Sequence, residues 1–172
     1  MISKQLQQKL DQHITKRGQQ AFVELAVKGE LNKHIAKTTN VVDLFVDGGA
    51  RGNPGPAGGG FAAFKGAEKV LEGSEFYGEK TNNQAEYLAL RTALRELYEK
   101  SPDANIKCYM DSQLVVEQMS GNYKVKSDKI RPIFEEVRRI ADQFKSFSIE
   151  HIEREQNSLA DALANRAMDM GR

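Results

Sequence analysis

The most constraining feature of this chain is a junction. The run Val41-Val42-Asp43-Leu44-Phe45-Val46 is β-branched and aromatic, the composition of a buried strand, and it stops at Asp47. Just beyond, residues 48–60 hold seven of the chain's 14 glycines and two of its four prolines, a turn signature. A buried strand that runs into such a segment needs a partner, and Phe61-Ala62-Ala63-Phe64 supplies one. Val70-Leu71, joined to it near Lys65-Gly66-Ala67 and extended by Ser74-Glu75-Phe76-Tyr77, supplies a third strand. The short turns predict antiparallel hairpins.

Helix and strand then alternate. Thr81-Asn82-Asn83 caps a helix predicted over residues 83–100, whose face carries Ala85, Leu88, Ala89, Thr92, Ala93, Glu96 and Leu97. Ser101-Pro102 stops it. Ile106–Met110 reads as a fourth strand ending at Asp111. Ser112–Met119 reads as a short helix closed by Gly121, and residues 127–145 as another with Pro132 near its start. Phe147–Ile152 alternates as a fifth strand, and residues 156–169 form a last helix. The order βββαβααβα predicts an α/β fold. Its five-stranded mixed sheet has three antiparallel strands, then two parallel ones, with helices on both faces.

Residues 1–39 are different in character. Ile2, Leu6, Leu10 and Ile14 form one helical stripe, and Phe22, Leu25, Leu31 and Ile35 continue helical spacing between Gly18, Gly29 and the polar break Thr38-Thr39-Asn40. We expect a helical extension over 1–39 and one catalytic-sized domain over 40–172. Residues 1–40 carry seven Lys/Arg against three Asp/Glu, and residues 41–172 carry 18 against 21, so +4 and −3 sum to the net +1. That balance excludes nucleic-acid binding through a global field and requires a local basic patch. For the extension, phosphate contacts, packing of its apolar stripe on the core and self-association all remain open. One cysteine, Cys108, excludes a disulfide framework and a cysteine-based zinc site. No apolar run approaches the ~18 residues of a membrane span, and no signal-peptide pattern opens the chain. A soluble cytoplasmic protein without a membrane partner is expected.

The chemistry lies in acids. Asp47 and Asp111 each end a strand. If those strands are neighbours, the two carboxylates repel, and one pKa rises unless a cation intervenes. A hard divalent ion such as magnesium, which takes oxygen ligands, resolves the conflict. Glu86 lies on the first turn of the long helix, and Asp161 on the first turns of the last one, within Ala160-Asp161-Ala162-Leu163-Ala164. Small neighbours let a helix approach the sheet and aim such acids inward. Each acid also has a plainer reading, as a solvated strand-end residue or as a complement to a helix dipole. The segment Asp47–Pro56 is neither a nucleotide P-loop nor a dinucleotide fingerprint. It is either a simple hairpin or a place where missing side chains admit a polymer backbone.

Four segments, in order, resemble the motifs of the type 1 ribonuclease H family. They are Asp47-Gly48-Gly49-Ala50-Arg51-Gly52-Asn53-Pro54-Gly55, Thr81-Asn82-Asn83-Gln84-Ala85-Glu86, Asp111-Ser112-Gln113-Leu114-Val115 and Asn157-Ser158-Leu159-Ala160-Asp161-Ala162-Leu163-Ala164. The resemblance spans residues 41–169. It implies an endonuclease that hydrolyses the RNA strand of RNA/DNA hybrids and leaves 5′-phosphate and 3′-hydroxyl ends. It further implies that Asp47, Glu86, Asp111 and Asp161 hold two Mg²⁺ ions, with Mn²⁺ as the alternative metal. Gly48, Gly49, Asn53, Thr81, Asn82, Asn83 and Gln113 are implied substrate contacts. The stretch before Asp161 is short and glycine-free, as in the compact branch of the family. There Arg154, rather than His151, is the implied aid to product release. The basic protrusion of other members is absent, and the chain has no Trp. Lys124 and Lys126 are the remaining basic candidates for the DNA strand. A non-catalytic nucleic-acid-binding or regulatory module on the same fold is the alternative.

Overall fold

The computed structural model describes residues 40–171, so the extension expected over 1–39 lies outside the described residues. Strands β1 (Val41–Ala50), β2 (Gly55–Lys65) and β3 (Glu68–Lys80) come first, followed by helix α1 (Asn82–Lys100). Then come β4 (Asn105–Met110), α2 (Gln113–Met119), α3 (Arg131–Ala141) and β5 (Ser146–His151). A 3-10 turn (Arg154–Asn157) leads into α4 (Ser158–Met170). The strands form one sheet in the order β3-β2-β1-β4-β5. The first three are antiparallel, and β4 and β5 run parallel to β1. This is the mixed sheet the sequence predicts.

Alternation builds the core. Val42, Leu44 and Val46 of β1 and Ile106, Cys108 and Met110 of β4 are buried on one face, where α1 packs on β1 and α2 meets β4. Each large aliphatic side chain so buried contributes about 1.5–3 kcal/mol. Helix α1 starts at a reciprocal capping box: Gln84 N–H donates to the Thr81 hydroxyl, and the Thr81 N–H donates to Gln84 Oε1. Its buried surface is wider than the predicted stripe, for Tyr87, Leu90 and Leu94 are also fully covered. The reason is α3, which packs on its outer side. The Tyr87 ring meets Phe134 edge-on at 6.2 Å, and Arg91 and Arg95 both pair with Glu136. Thr92 is only partly buried and donates instead to Glu75. Helix α4 covers the opposite face of the sheet, over β2 and β1. No described helix is long and apolar enough to cross a membrane.

The structure departs from expectation most clearly in the glycine-rich segment. Only residues 51–54 form the turn; the other residues of this stretch belong to β1 and β2, with Gly48 opposite Gly59 and Gly49 opposite Gly58. Glycine is depleted in strands because it packs nothing. Here that emptiness is needed, because helices press on both faces of this end of the sheet. Two smaller differences follow from local geometry. The helix expected over 127–145 spans Arg131–Ala141, with Pro132 in its first turn. The last helix begins at Ser158, and a 3-10 turn occupies the residues just before it.

Candidate active site

The parallel register runs from Val41 opposite Asn105 to Phe45 opposite Tyr109. Two residues further on, Asp47 and Asp111 stand side by side, Asp111 just past the end of β4 and Asp47 within β1, which runs on to Ala50 rather than ending at the acid. The carboxyl end of the parallel strands is the edge where open α/β sheets bind ligands. Glu86 reaches the same place from α1 on one face, and Asp161 from α4 on the other. All four acids line one open cleft of about 290 Å³.

Two glycines explain how both helices come close enough. A Cβ on Gly48 would stand 2.4 Å from the Ala85 carbonyl oxygen, and one on Gly60 would stand 2.4 Å from the Ala160 carbonyl oxygen. In each case the helix rests on the sheet through the alanine immediately before the acid. The alanines permit the approach and the glycines complete it.

Each acid then meets particular partners. Glu86 accepts from Asn82 Nδ2 at 3.0 Å and from the Ser112 hydroxyl at 2.8 Å. Asp111 accepts from Asn157 Nδ2 at 2.9 Å, and the same amide donates to the Val46 carbonyl at 2.9 Å. Both partners are acceptors, so the Asn157 amide has only one workable orientation. Its buried Oδ1 meets no donor among the described residues. Asp161 pairs with Arg154 at 2.6 Å and accepts from Asn165 Nδ2 at 3.0 Å.

The cleft is electrostatically short of cations. Burial pushes the Asp47 carboxyl up to about 6, and the charges of Asp111 and Asp161 add to the effect. Burial likewise pushes Glu86 up to about 7; Ser112 and Asn82 oppose this, and Asp47 and Asp111 reinforce it. The two arginines in the cleft wall are already engaged, Arg154 with Asp161 and Arg51 with Asp169 at 2.6 Å. A set of oxygen donors with raised pKa values and no free cation suits hard divalent ions. As they stand, no three His, Cys, Asp or Glu side chains among the described residues are gathered tightly enough to hold an ion. Glu86, Asp111 and Asp161 are each held by a protein donor, and their remaining lone pairs are left to ligate an ion.

A family model described as reverse transcriptase-like matches residues 45–167. A ribonuclease H of Hydrogenovibrio crunogenus is 35% identical over 143 residues, covering 74% of this chain and 95% of that protein. The chain belongs to the ribonuclease H family. The bifunctional protein Rv2228c of Mycobacterium tuberculosis is 41% identical over 130 residues, covering 74% of this chain and 35% of that protein. The chain therefore spans only about a third of the length of its mycobacterial relative. Among solved structures, LC11-RNase H1 in complex with an RNA/DNA hybrid, from a compost metagenome, is 39% identical with a TM-score of 0.72. That match covers 76% of this chain and 98% of the other.

The chain places its other predicted residues unevenly. Gly48, Gly49 and Asn82 line the cleft with the acids, and Arg154 faces them from the 3-10 turn. The Cβ space of Gly48 is filled by α1, so that glycine serves the helix rather than an approaching polymer. Asn82 binds both sides of the entrance: its Oδ1 accepts from Ala50 N–H at 3.2 Å while its Nδ2 holds Glu86. Asn53 is a brace, accepting from Asn82 N–H at 3.1 Å. Thr81 is the helix cap, and Asn83 is exposed beside it. Gln113 is exposed on the first turn of α2, and Lys124 and Lys126 are exposed beyond that helix, outside the cleft wall. His151 is exposed at the end of β5.

Sequence reasoning missed the donors. Ser112, Asn157 and Asn165 each hold a carboxylate, and Arg51 ties the β1–β2 turn to α4. Asn165 stands four residues after Asp161, a helical spacing that could have flagged it. Ser112 and Asn157 act across 26 and 46 residues of sequence, so no local pattern reveals them.

Proposed function

We propose that this chain hydrolyses the RNA strand of RNA/DNA hybrids with the help of two divalent ions, leaving 5′-phosphate and 3′-hydroxyl ends. The observation that carries this reading is the convergence of Asp47, Glu86, Asp111 and Asp161 on one cleft from four separate segments. Membership of the ribonuclease H family and the hybrid-bound relative support it. When bound, Mg²⁺ or Mn²⁺ would lower the pKa of the attacking water and stabilise the leaving 3′ oxygen.

The chain's own residues do the rest. Asp47, central among the acids, and Asp111 are held by β1 and β4, rigid elements of the sheet. Asn157 fixes the rotamer of Asp111, and Asn82 with Ser112 fixes that of Glu86. In the reaction the water oxygen bonds to phosphorus, the P–O3′ bond breaks, and the 3′ oxygen gains a proton. Arg154 is 72% exposed at its side chain, so it is free to leave Asp161 for the new 5′-phosphate. Selection of RNA requires contact with 2′-hydroxyls. The backbone of Gly48–Arg51, which lines the cleft, and the exposed Gln113 would make it. Lys124 and Lys126, exposed beyond α2, would meet the DNA strand's phosphates, and so few contacts would give a shallow salt dependence of binding.

The test offers end-labelled RNA/DNA hybrid, double-stranded RNA, single-stranded RNA and duplex DNA with Mg²⁺, Mn²⁺ or EDTA, beside Asp47→Asn. We expect metal-dependent cutting of the hybrid's RNA strand alone, lost in the variant while hybrid binding persists. Hybrid binding without cutting of any substrate would replace this reading with a non-catalytic binding module.

A further inference from the structure

The two arginines of the cleft wall are both held by acids of α4. Arg154 pairs with Asp161, one of the four acids gathered in the cleft. Arg51 pairs with Asp169, which lies ~12 Å further along the same helix and forms no part of the cleft wall. The contact runs from one guanidinium nitrogen, Nη2, to one carboxylate oxygen, Oδ1, at 2.6 Å. A guanidinium carries five donors, so Asp169 uses only part of the fork. The two side chains are 35% and 58% exposed, and a pair so open to water contributes little to stability.

The turn that carries Arg51 does not depend on this pair. Arg51 N–H donates to the Pro56 carbonyl at 2.8 Å, and Asn53 accepts from Asn82 N–H at 3.1 Å. Strand pairing continues up to the turn, with Ala50 opposite Ala57. The backbone at residue 51 is therefore fixed by β1, β2 and α1, and its side chain can change partner without loosening the loop. Its place relative to the acids is equally defined. Gly48, Gly49 and Ala50 line the cleft between Asp47 and Arg51, ~13 Å of extended chain. The rise per nucleotide along one strand is only ~3.4 Å. A phosphate that meets Arg51 is thus not the one held at the acids.

We propose that Arg51 binds a phosphate of the RNA strand that flanks the scissile one, and that Asp169 occupies its guanidinium until that phosphate arrives. This rests on the hydrolysis of the RNA strand proposed above and names one substrate contact within it. The fork takes a phosphate as it takes a carboxylate, by parallel N–H···O bonds. A carboxylate on the rim is therefore a fair stand-in for the ligand and a weak competitor for its site. Asp169 loses little on release, because water replaces the contact at so exposed a side chain. Arg51 touches substrate away from the reacting atoms, so its loss appears in binding and not in the chemical step.

The test measures hybrid binding by the full-length chain in an Asp47→Asn background with Mg²⁺, over a range of salt. Arg51→Gln should weaken binding about five- to ten-fold near 0.1 M salt and lower the salt slope by about one. Asp169→Asn should tighten binding about two- to five-fold, and the gain should vanish once Arg51→Gln is added. Loss of a purely structural tie cannot tighten binding. No gain from Asp169→Asn, or an equal gain with and without Arg51, would overturn the proposal. A neutral methylphosphonate placed at successive RNA linkages then locates the contact. One linkage should abolish the gain, and a gain kept at every linkage would also overturn the proposal. With Asp47 restored, Arg51→Gln should raise KM while the single-turnover rate at saturating hybrid stays within about two-fold. Absence of cutting with this binding pattern intact would remove the hydrolysis and leave the Arg51 contact standing.

Discussion

Glu86 and Asp161 occupy equivalent positions on opposite faces of the sheet. Each sits early in a helix, each follows an alanine, and each of those alanines rests on a glycine of β1 or β2. Their surroundings nevertheless differ. Glu86 is covered, meets only the neutral donors Asn82 and Ser112, and is pushed up to about 7. Asp161 meets a guanidinium, Arg154, that is largely in solvent. The helices differ as well: α1 is wedged between the sheet and α3, whereas among the described residues no other long helix packs on the outer side of α4. One acid therefore lacks a cation, and the other already has one that must be displaced. Identical chemistry placed by identical packing has been given two different tasks.

The largest expected effect treats the two acids alike. Glu86→Gln and Asp161→Asn should each reduce single-turnover cleavage of a hybrid by at least ~10³-fold, about 4 kcal/mol of transition-state stabilisation. A variant that keeps a tenth of the wild-type rate would remove that acid from the chemistry. The supporting glycines should separate the two sides. Gly48→Ala must move a helix that has nowhere to go, at a cost of about 2–4 kcal/mol. Gly60→Ala can lift α4 and should cost less stability while still lowering turnover. Equal losses in urea denaturation would contradict the difference in packing.

The third effect is one of pH and concerns the buried side. Without metal, Asp47 and Glu86 have folded-state pKa values of about 6 and about 7, above their ordinary values of 3.8 and 4.5. The folded protein therefore binds protons more tightly than the unfolded chain. Its stability from these groups is complete below about pH 4 and is lost as pH rises through 6 to 7. Glu86→Gln should thus stabilise the metal-free protein at pH 8, on the order of 1–3 kcal/mol, and confer no advantage at pH 4. Thermal scans in EDTA at both pH values measure this, and an advantage independent of pH would locate its origin elsewhere. The smallest effect belongs to the exposed side. An exposed ion pair contributes about 0.2–1 kcal/mol, so Arg154→Ala should tighten Mg²⁺ binding by about two- to five-fold in calorimetry while slowing product release. Weaker Mg²⁺ binding in that variant would mean that Arg154 assists the ions rather than competing with them.

Much of the fold was legible because its signals are local. The alternation in Val41–Val46, the cap at Thr81 and the stop at Ser101-Pro102 each depend on neighbours a few residues away. The acids were legible for two reasons. Asp47 and Asp111 each close an apolar strand run, although β1 itself continues to Ala50, and the resemblance to ribonuclease H joined four motifs into one site. The alanines beside Glu86 and Asp161 correctly pointed to close helix packing. The glycines before and after the β1–β2 turn were misread as turn residues. Their reason for being glycine lies at Ala85 and Ala160, far away in sequence. Asn157 and Ser112 were missed for the same reason.

By itself the sequence determined the succession of strands and helices and the antiparallel pairing of the first three strands, and its resemblance to ribonuclease H implied that four carboxylates gather in one site. Periodicity, capping and strand order are properties of short stretches and of their succession along the chain. Only the tertiary structure decided which donor each carboxylate meets, which of them lacks a cation, and how closely each helix presses on the sheet. Those outcomes depend on burial and on side chains brought together across dozens of residues, where a single Cβ is enough to change the distance between a helix and a strand.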